Sequence, residues 1–265
     1  MSRSALLNVM VQAATKAGRA LARDFGEVEN LQVSMKGPGD FVTSADRKAE
    51  KILHEELARV RPGYGFLLEE SGAIEGTDKS NRWIVDPLDG TTNFMHAVPL
   101  FAISIALERD GEIVAGLVFN PVMNELFVAE RGTGAYLNDR RIRVAQRRDL
   151  SQSIVTTGIP HQGRGNHSAY LKDLAPVMAA SAGVRRTGSA ALDLAWLAAG
   201  RFDGFFEPGL SPWDIAGGMI LVSEAGGFAT DYSGHKSPLN ADAIVAGNAD
   251  IHRLLFDLLP KSRSA

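Results

Sequence analysis

An apolar run that ends in two carboxylates constrains this chain more than any other feature. Trp83, Ile84 and Val85 lead directly into Asp86-Pro87-Leu88-Asp89-Gly90-Thr91-Thr92-Asn93-Phe94. A short run of β-branched and aromatic residues predicts a buried strand. Such a strand delivers Asp86 and Asp89 to its C-terminal end. Pro87 has no N–H for ladder pairing, so the chain is expected to turn there. Gly90 permits a tight bend, and Thr91 and Thr92 offer hydroxyls and N–H groups to the element that follows. Hard divalent cations seek clustered carboxylate oxygens, and phosphates seek N–H and hydroxyl donors. Asp-Pro and Asp-Gly are also ordinary turn formers, so a merely decorated loop is the bland alternative.

The remaining composition narrows the class. A chain of 265 residues that is 45% apolar and 22% charged buries a sizeable core without staples. A net charge of −3 gives no general attraction to nucleic acid or anionic membrane. The absence of cysteine removes disulfides, thiolate nucleophiles and Cys-type zinc sites, and it fits a reducing cytoplasm. The longest apolar run, 97–107, is too short to cross a bilayer as a helix. Basic residues without an acid before Asp24 have the charge bias of a transit peptide. However, Leu6, Met10, Ala13, Ala14, Ala17 and Leu21 share one helical stripe, which predicts an amphipathic first helix packed on the domain.

Residues 4–25 and 46–59 read as helices, the second capped by Thr43 or Ser44. Lys36-Gly37-Pro38-Gly39-Asp40 between them reads as a hairpin tip. A strand at 65–68 precedes the Trp83 strand, and 101–108, 113–120 and 125–130 form a meander with turns at Asp110-Gly111 and Asn120-Pro121. Residues 132–144 add a hairpin. Strands at 154–157, 184–187, 204–207 and 243–246 then alternate with helices at 167–181, 190–199 and 213–225. The pattern predicts an α+β half, residues 1–145, and an α/β half, residues 146–265, packed as one structural unit.

Acids recur after apolar strands and at helix starts. Glu69 and Glu70 follow Phe66-Leu67-Leu68, Asp214 follows Pro212-Trp213, and Asp46 opens the second helix. Asp46 and Asp214 serve equally well as helix caps, and Glu70 reads as solvated. Taken together with Asp86 and Asp89 they make a hard-metal cluster suited to Mg²⁺ rather than to zinc or copper.

Glu69-Glu70-Ser71-Gly72, Asp86-Pro87-Leu88-Asp89-Gly90-Thr91-Thr92-Asn93 and Trp213-Asp214-Ile215-Ala216-Gly217, with Glu224-Ala225-Gly226-Gly227 beyond, resemble the signatures of the inositol monophosphatase family. The stretch from Arg185 to Asp193 further resembles the bacterial extragenic-suppressor-type members. This resemblance implies an alternating αβαβα layered sandwich of the sugar-phosphatase type, assembled as a homodimer. It implies Mg²⁺ on Glu69, Asp86, Asp89, Asp214 and the Leu88 carbonyl, and sensitivity to lithium. It implies that a water near Glu69 and Thr91 attacks in line, with Asp46 acting through the Thr91 hydroxyl. Gly90, Thr91 and Thr92 would hold phosphate oxygens. Gly188, Ser189, Ala190 and Glu207 would line the polyol site, and Lys36 would lie on a hairpin near the metals.

The expected activity is therefore Mg²⁺-dependent hydrolysis of inositol monophosphate. A sugar phosphate, histidinol phosphate, nucleotide 3′-phosphate or NADP is the alternative small phosphate ester. Asp86-Pro87-Leu88-Asp89-Gly90-Thr91 carries one residue too many for the Asp-x-Asp-Gly-Thr pattern of haloacid-dehalogenase-type phosphatases. The six histidines show no ligand spacing. Arg140, Arg141, Arg143, Arg147 and Arg148, with Arg185-Arg186 as a second basic pair, suggest a scaffold that binds RNA or an acidic protein; a solvated hairpin edge for the first group and a dimer-interface pair for the second are the bland alternatives. The acidic net charge and the lack of interleaved aromatics argue against nucleic acid.

Overall fold

The computed structural model describes residues 3–27, 33–37, 40–161, 165–236, 239, 241 and 243–260, without the side chains of 33–37 and 40–42. The first helix, α1 (Ala5–Phe25), starts at the cap Ser4 and buries a stripe from Leu7 through Met10, Ala13, Ala14 and Ala17 to Leu21. Leu6 sits at the rim of that stripe instead of within it. Strands β1 (Val33–Gly37) and β2 (Asp40–Thr43) pair antiparallel where the hairpin was expected. Its tip residues Pro38 and Gly39 lie outside the described residues, as does the side chain of Lys36. In α2 (Ser44–Val60) the cap is Thr43, in a reciprocal box with Asp46.

An eight-stranded sheet follows, built from β3 (Tyr64–Leu68), β4 (Gly72–Ile74), β5 (Asp78–Asp89), β6 (Ala102–Arg109), β7 (Glu112–Asn120), β8 (Glu125–Glu130), β9 (Gly134–Leu137) and β10 (Arg140–Arg141). Its order is β10-β9-β8-β7-β6-β5-β3-β4. The short helix α3 (Thr91–Met95) joins β5 to β6. Strand β5 departs from expectation at both ends. It starts at Asp78, and Pro87 does not end it. Register slips between the pairs Asp86↔Ser104 and Asp89↔Ala102. The proline occupies that bulge, where a missing N–H costs no ladder bond.

The second sheet contains β11 (Ile154–Thr156), β12 (Gly183–Arg185), β13 (Gly204–Pro208), β14 (Phe228–Asp231) and β15 (Ala243–Gly247), in the order β12-β11-β13-β15-β14. Strand β11 pairs parallel with β12 and β13, whereas β15 pairs antiparallel with β13 and β14. Helices α4 (His167–Ala180), α5 (Ala190–Ala198), α6 (Pro212–Glu224) and α7 (Ala249–Leu258) complete the chain. Strands β4 and β14 carry no clear sequence signal, and helix α7 goes beyond the sequence reading although Asn248 caps it and Ile251, Leu254, Leu255 and Leu258 repeat at helical spacing. The strand expected to reach residue 187 stops at Arg185, because the Thr187 hydroxyl turns to Asp193.

The elements stack in alternating layers: α1 and α2, the eight-stranded sheet, α5 and α6, the five-stranded sheet, then α4 and α7. Helices α5 and α6 are apolar around most of their circumference because each lies between two sheets. One core joins them to both sheets, and a second packs α1 and α2 under Trp83, Val85 and Phe101. No described helix is long and apolar enough to cross a membrane.

Candidate active site

Strand β5 carries Asp86 and Asp89 to one end of the large sheet, and the N-terminus of α6 meets them there. Pro212 opens α6, and Ser104 of β6 donates to the Trp213 carbonyl at 3.1 Å, tying helix to sheet. Asp86, Asp89 and Asp214 each place one carboxylate oxygen within 4.8 Å of the others. Burial raises Asp86 well above the ordinary carboxylate range, and the charges of Glu69, Asp89 and Asp214 raise it further. Glu69, at the end of β3, hydrogen-bonds the Asp86 side chain. Like charges packed so closely require either shared protons or a cation between them. The donors are all oxygen, which suits a hard ion such as Mg²⁺.

The cap role and the cluster role coexist at both helix starts. Asp214 accepts from the Ser211 N–H through Oδ2 at 2.8 Å, while one of its oxygens belongs to the acidic cluster. Asp46 accepts from the Thr43 N–H at 2.8 Å through Oδ2, and its Oδ1 accepts from Thr91 Oγ1 at 2.9 Å. Thr91 Oγ1 also lies 3.2 Å from the Leu88 carbonyl. Burial lifts the Asp46 pKa above its usual value, and hydrogen bonds from Thr43 and Thr91 oppose that rise.

Gly90 stands at φ +100°, and a Cβ there would come within 2.9 Å of the Leu100 carbonyl. Only glycine fits this turn from β5 into α3. Asp89 Oδ2 accepts from Ser189 Oγ and from the Ala191 N–H, each at 2.7 Å. That pair of bonds fastens the start of α5 to the large sheet.

A cavity of about 460 Å³ opens over these groups. The acidic cluster, Leu88 and the 90–92 turn line it. Gly188, Ser189, Ala190 and Glu207 line it as well, with Ser189 bonded directly to Asp89. The Glu207 carboxylate lies against the Gly158 backbone, where a Cβ would come within 1.8 Å of its Oε1. The fold thus gathers every residue singled out for the site around one cavity, with Asp46 behind Thr91 and the Lys36 side chain outside the described set.

Two residues at the cavity carry no site role in the sequence reading: Asp193, and Arg186, which the sequence presents with Arg185 as a basic pair for a partner or dimer interface. Asp193 is 1% exposed and accepts from Thr187 Oγ1 at 2.6 Å. Burial pushes it up to about 8, against hydrogen bonds from Thr187 and Thr156. A single acid within the apolar run of α5 was the available signal. The arginine cluster is partly structural, since Arg147 pairs with the buried Asp203 at 2.8 Å and Arg148 reaches Asp250 at 3.5 Å.

Comparison with known proteins agrees with this geometry. The profile of the inositol monophosphatase family matches residues 2–264. An inositol-1-monophosphatase of Mesorhizobium japonicum is 62% identical over 265 residues, covering 100% of both chains. The Nus factor SuhB of Escherichia coli is 45% identical over 251 residues, 95% of this chain and 94% of that protein. The crystal structure of the extragenic suppressor protein SuhB from Bartonella henselae superposes with a TM-score of 0.94 at 56% identity, covering 98% of this chain and 100% of that one. A family-wide profile spanning the chain, on a fold that draws the acids together, leads to one conclusion: this protein belongs to the inositol monophosphatase family and is a phosphatase.

Proposed function

We propose that this chain hydrolyses inositol monophosphate to inositol and phosphate, using Mg²⁺ held by Glu69, Asp86, Asp89, Asp214 and the Leu88 carbonyl. The convergence of Asp86, Asp89 and Asp214 within 4.8 Å at the cavity carries this reading. Bound Mg²⁺ supplies what a phosphate dianion lacks: charge neutralisation, a more acidic water and a stabilised leaving oxygen. The transition state is loose, so positioning dominates over covalent chemistry.

The chain's own residues do that positioning. Thr91 Oγ1 donates to Asp46, so its lone pairs are free to accept a hydrogen bond from a water at the Glu69 side; a proton drawn from that water would be balanced by passing the hydroxyl proton to the Asp46 carboxylate. Asp46 is pinned by Thr43, so it holds the Thr91 hydroxyl in one orientation. Gly90, Thr91 and Thr92 present backbone N–H groups where α3 begins, a suitable cradle for phosphate oxygens. At the same cavity Gly188, Ser189 and Ala190 supply polar backbone, and Glu207 accepts bonds from substrate hydroxyls. The relative at 62% identity is named an inositol-1-monophosphatase, which favours this ester over sugar phosphates, histidinol phosphate, a nucleotide 3′-phosphate or NADP.

Homodimer assembly, lithium sensitivity and a cytoplasmic location belong to the same reading. Exposed Leu171 and Met178 on α4, beside the edge strand β12, offer an apolar face for a second copy. A role toward RNA or protein is the second reading, favoured by the relative named a Nus factor and by exposed Arg140 and Arg143. The test is phosphate release from each of these esters with Mg²⁺ present, chelated and challenged by lithium. Turnover of inositol monophosphate that chelation abolishes is expected. Turnover of none of the esters would overturn the reading in favour of the scaffold.

A further inference from the structure

Helix α2 reaches the acidic cluster twice. Asp46 and Glu50 lie four residues apart, so they share one face of the helix. Both are buried, at 0% and 4% exposure. Asp46 accepts from Thr91 Oγ1, on the Gly90–Thr92 side of the cavity. Glu50 turns the other way, to the segment that carries Glu69. Its Oε2 accepts from the Glu70 N–H at 2.8 Å, and its Oε1 accepts from Ser71 Oγ. The N–H of Glu69 itself bonds the Val85 carbonyl of β5 at 3.2 Å. The peptides on both sides of Glu69 are therefore held, one by the sheet and one by α2. Among the described residues Glu50 makes no ion pair, so its carboxylate is spent on these two donors.

We infer that Glu50 is a positioning residue that sets where Glu69 stands relative to Asp86 and Thr91. Helix α2 acts as a rigid spacer: one turn of helix separates the side chain that orients Thr91 from the side chain that clamps the Glu69 turn. A buried charge without a cation is costly. Here two charge-assisted hydrogen bonds offset the cost and confer order on the turn. The inference rests on the proposed Mg²⁺ site and deepens it, because Glu50 touches neither metal nor substrate.

The test measures Mg²⁺ binding to the substrate-free protein by calorimetry, with hydrogen exchange at the Glu70 amide as a second readout. Glu50→Ala is expected to weaken Mg²⁺ binding about tenfold, the lower end for groups that hold metal ligands from outside. The Glu70 amide should exchange faster, and KM for the ester should stay unchanged at saturating Mg²⁺. Glu50→Gln should restore binding to within about threefold, since its carbonyl accepts the Glu70 N–H and its amide donates to the Ser71 hydroxyl. Leu53→Ala, a cavity in the same helix, should lower Tm without moving the Mg²⁺ affinity.

Wild-type affinity and exchange in Glu50→Ala would overturn the inference, as would an equal loss of affinity in Leu53→Ala. If Glu50→Ala does not fold, Ser71→Ala decides the matter. It deletes one of the two bonds and should weaken binding about twofold to threefold, the low end for a single hydrogen bond; no change would overturn the inference. Wild-type protein that binds no divalent ion would instead overturn the Mg²⁺ reading beneath it.

Discussion

Asp86 and Asp193 are both buried aspartates at one cavity, yet they solve opposite problems. Asp86 sits on the large sheet among Glu69, Asp89 and Asp214, and the neighbouring charges add to burial in opposing its ionisation. Asp193 sits on α5 toward the small sheet, where burial is the largest cause, two threonine hydroxyls partly compensate, and the charges of Asp89 and Arg186 act in opposite senses. The first environment rewards a cation. The second rewards a proton, because hydroxyls satisfy the carboxyl without neutralising it. Residue type is the same at both positions; the surroundings decide whether the group favours a nearby cation or a bound proton.

The sharpest way to break that contrast is Asp86→Asn. Activity should fall by at least about a hundredfold, beyond what changes outside the ligand set produce. In chelator, the same variant should melt higher than wild type, because one charge leaves a crowded cluster. Mg²⁺ should raise the wild-type Tm, by about 2.7 kcal/mol of stability at a hundredfold excess over Kd, and raise the variant's far less. A variant that melts lower than wild type in chelator would remove the repulsion argument.

Thr91→Ala should lower kcat about a hundredfold with little change in KM, as expected for losing a proton-handling group. Thr91→Ser should recover most of that loss, since it keeps the hydroxyl 2.9 Å from Asp46. Steady-state kinetics on both variants checks this, and equal losses would point to packing instead. Gly158→Ala acts through Glu207. The new methyl would displace the Glu207 carboxylate. KM for inositol monophosphate should rise about tenfold, the scale of one charged hydrogen bond. KM for a phosphate ester without hydroxyls should stay put.

The smallest effect is on stability. Asp193 has a folded pKa of about 8 against an ordinary 3.8, so the fold holds a proton that the unfolded chain has lost. Its contribution is fully favourable below pH 3.8 and is lost progressively as pH rises toward 8. The slope is at most about 1.4 kcal/mol per pH unit. Melts of Asp193→Asn against wild type should show a Tm difference that moves in favour of the variant between pH 5 and pH 8. A difference independent of pH would mean that Asp193 is ionised in the fold.

The acidic cluster was more legible in sequence than the residues around Gly188 and Glu207 that line the same cavity. Asp86 and Asp89 follow an apolar strand and precede a glycine with φ +100°, so local rules place them together. Pro87 misled, because a bulge absorbs a proline that a regular ladder would reject. Asp214 looked like a helix cap and is one, but its second role needs a partner 125 residues away. Asp193 and Glu50 carry no local pattern beyond a polar residue on a buried helix face. Strands β4 and β14 were missed because short flanking strands take their stability from packing rather than propensity, whereas helix α7 was readable from its Asn248 cap and its stripe of Ile251, Leu254, Leu255 and Leu258.

By itself the sequence determined the strand that ends in carboxylates, the helices with their caps, the all-oxygen donor chemistry and the family likeness. Those features depend on side-chain type and on spacing of a few residues. Tertiary structure alone decided which acids meet, which stay apart and which keep a proton. The approach of α6 to β5, the two-ended reach of α2 and the burial of Asp193 are long-range outcomes of stacking helices between sheets. Charge and proton affinity depend on distance and burial in three dimensions, and neither can be read along the chain.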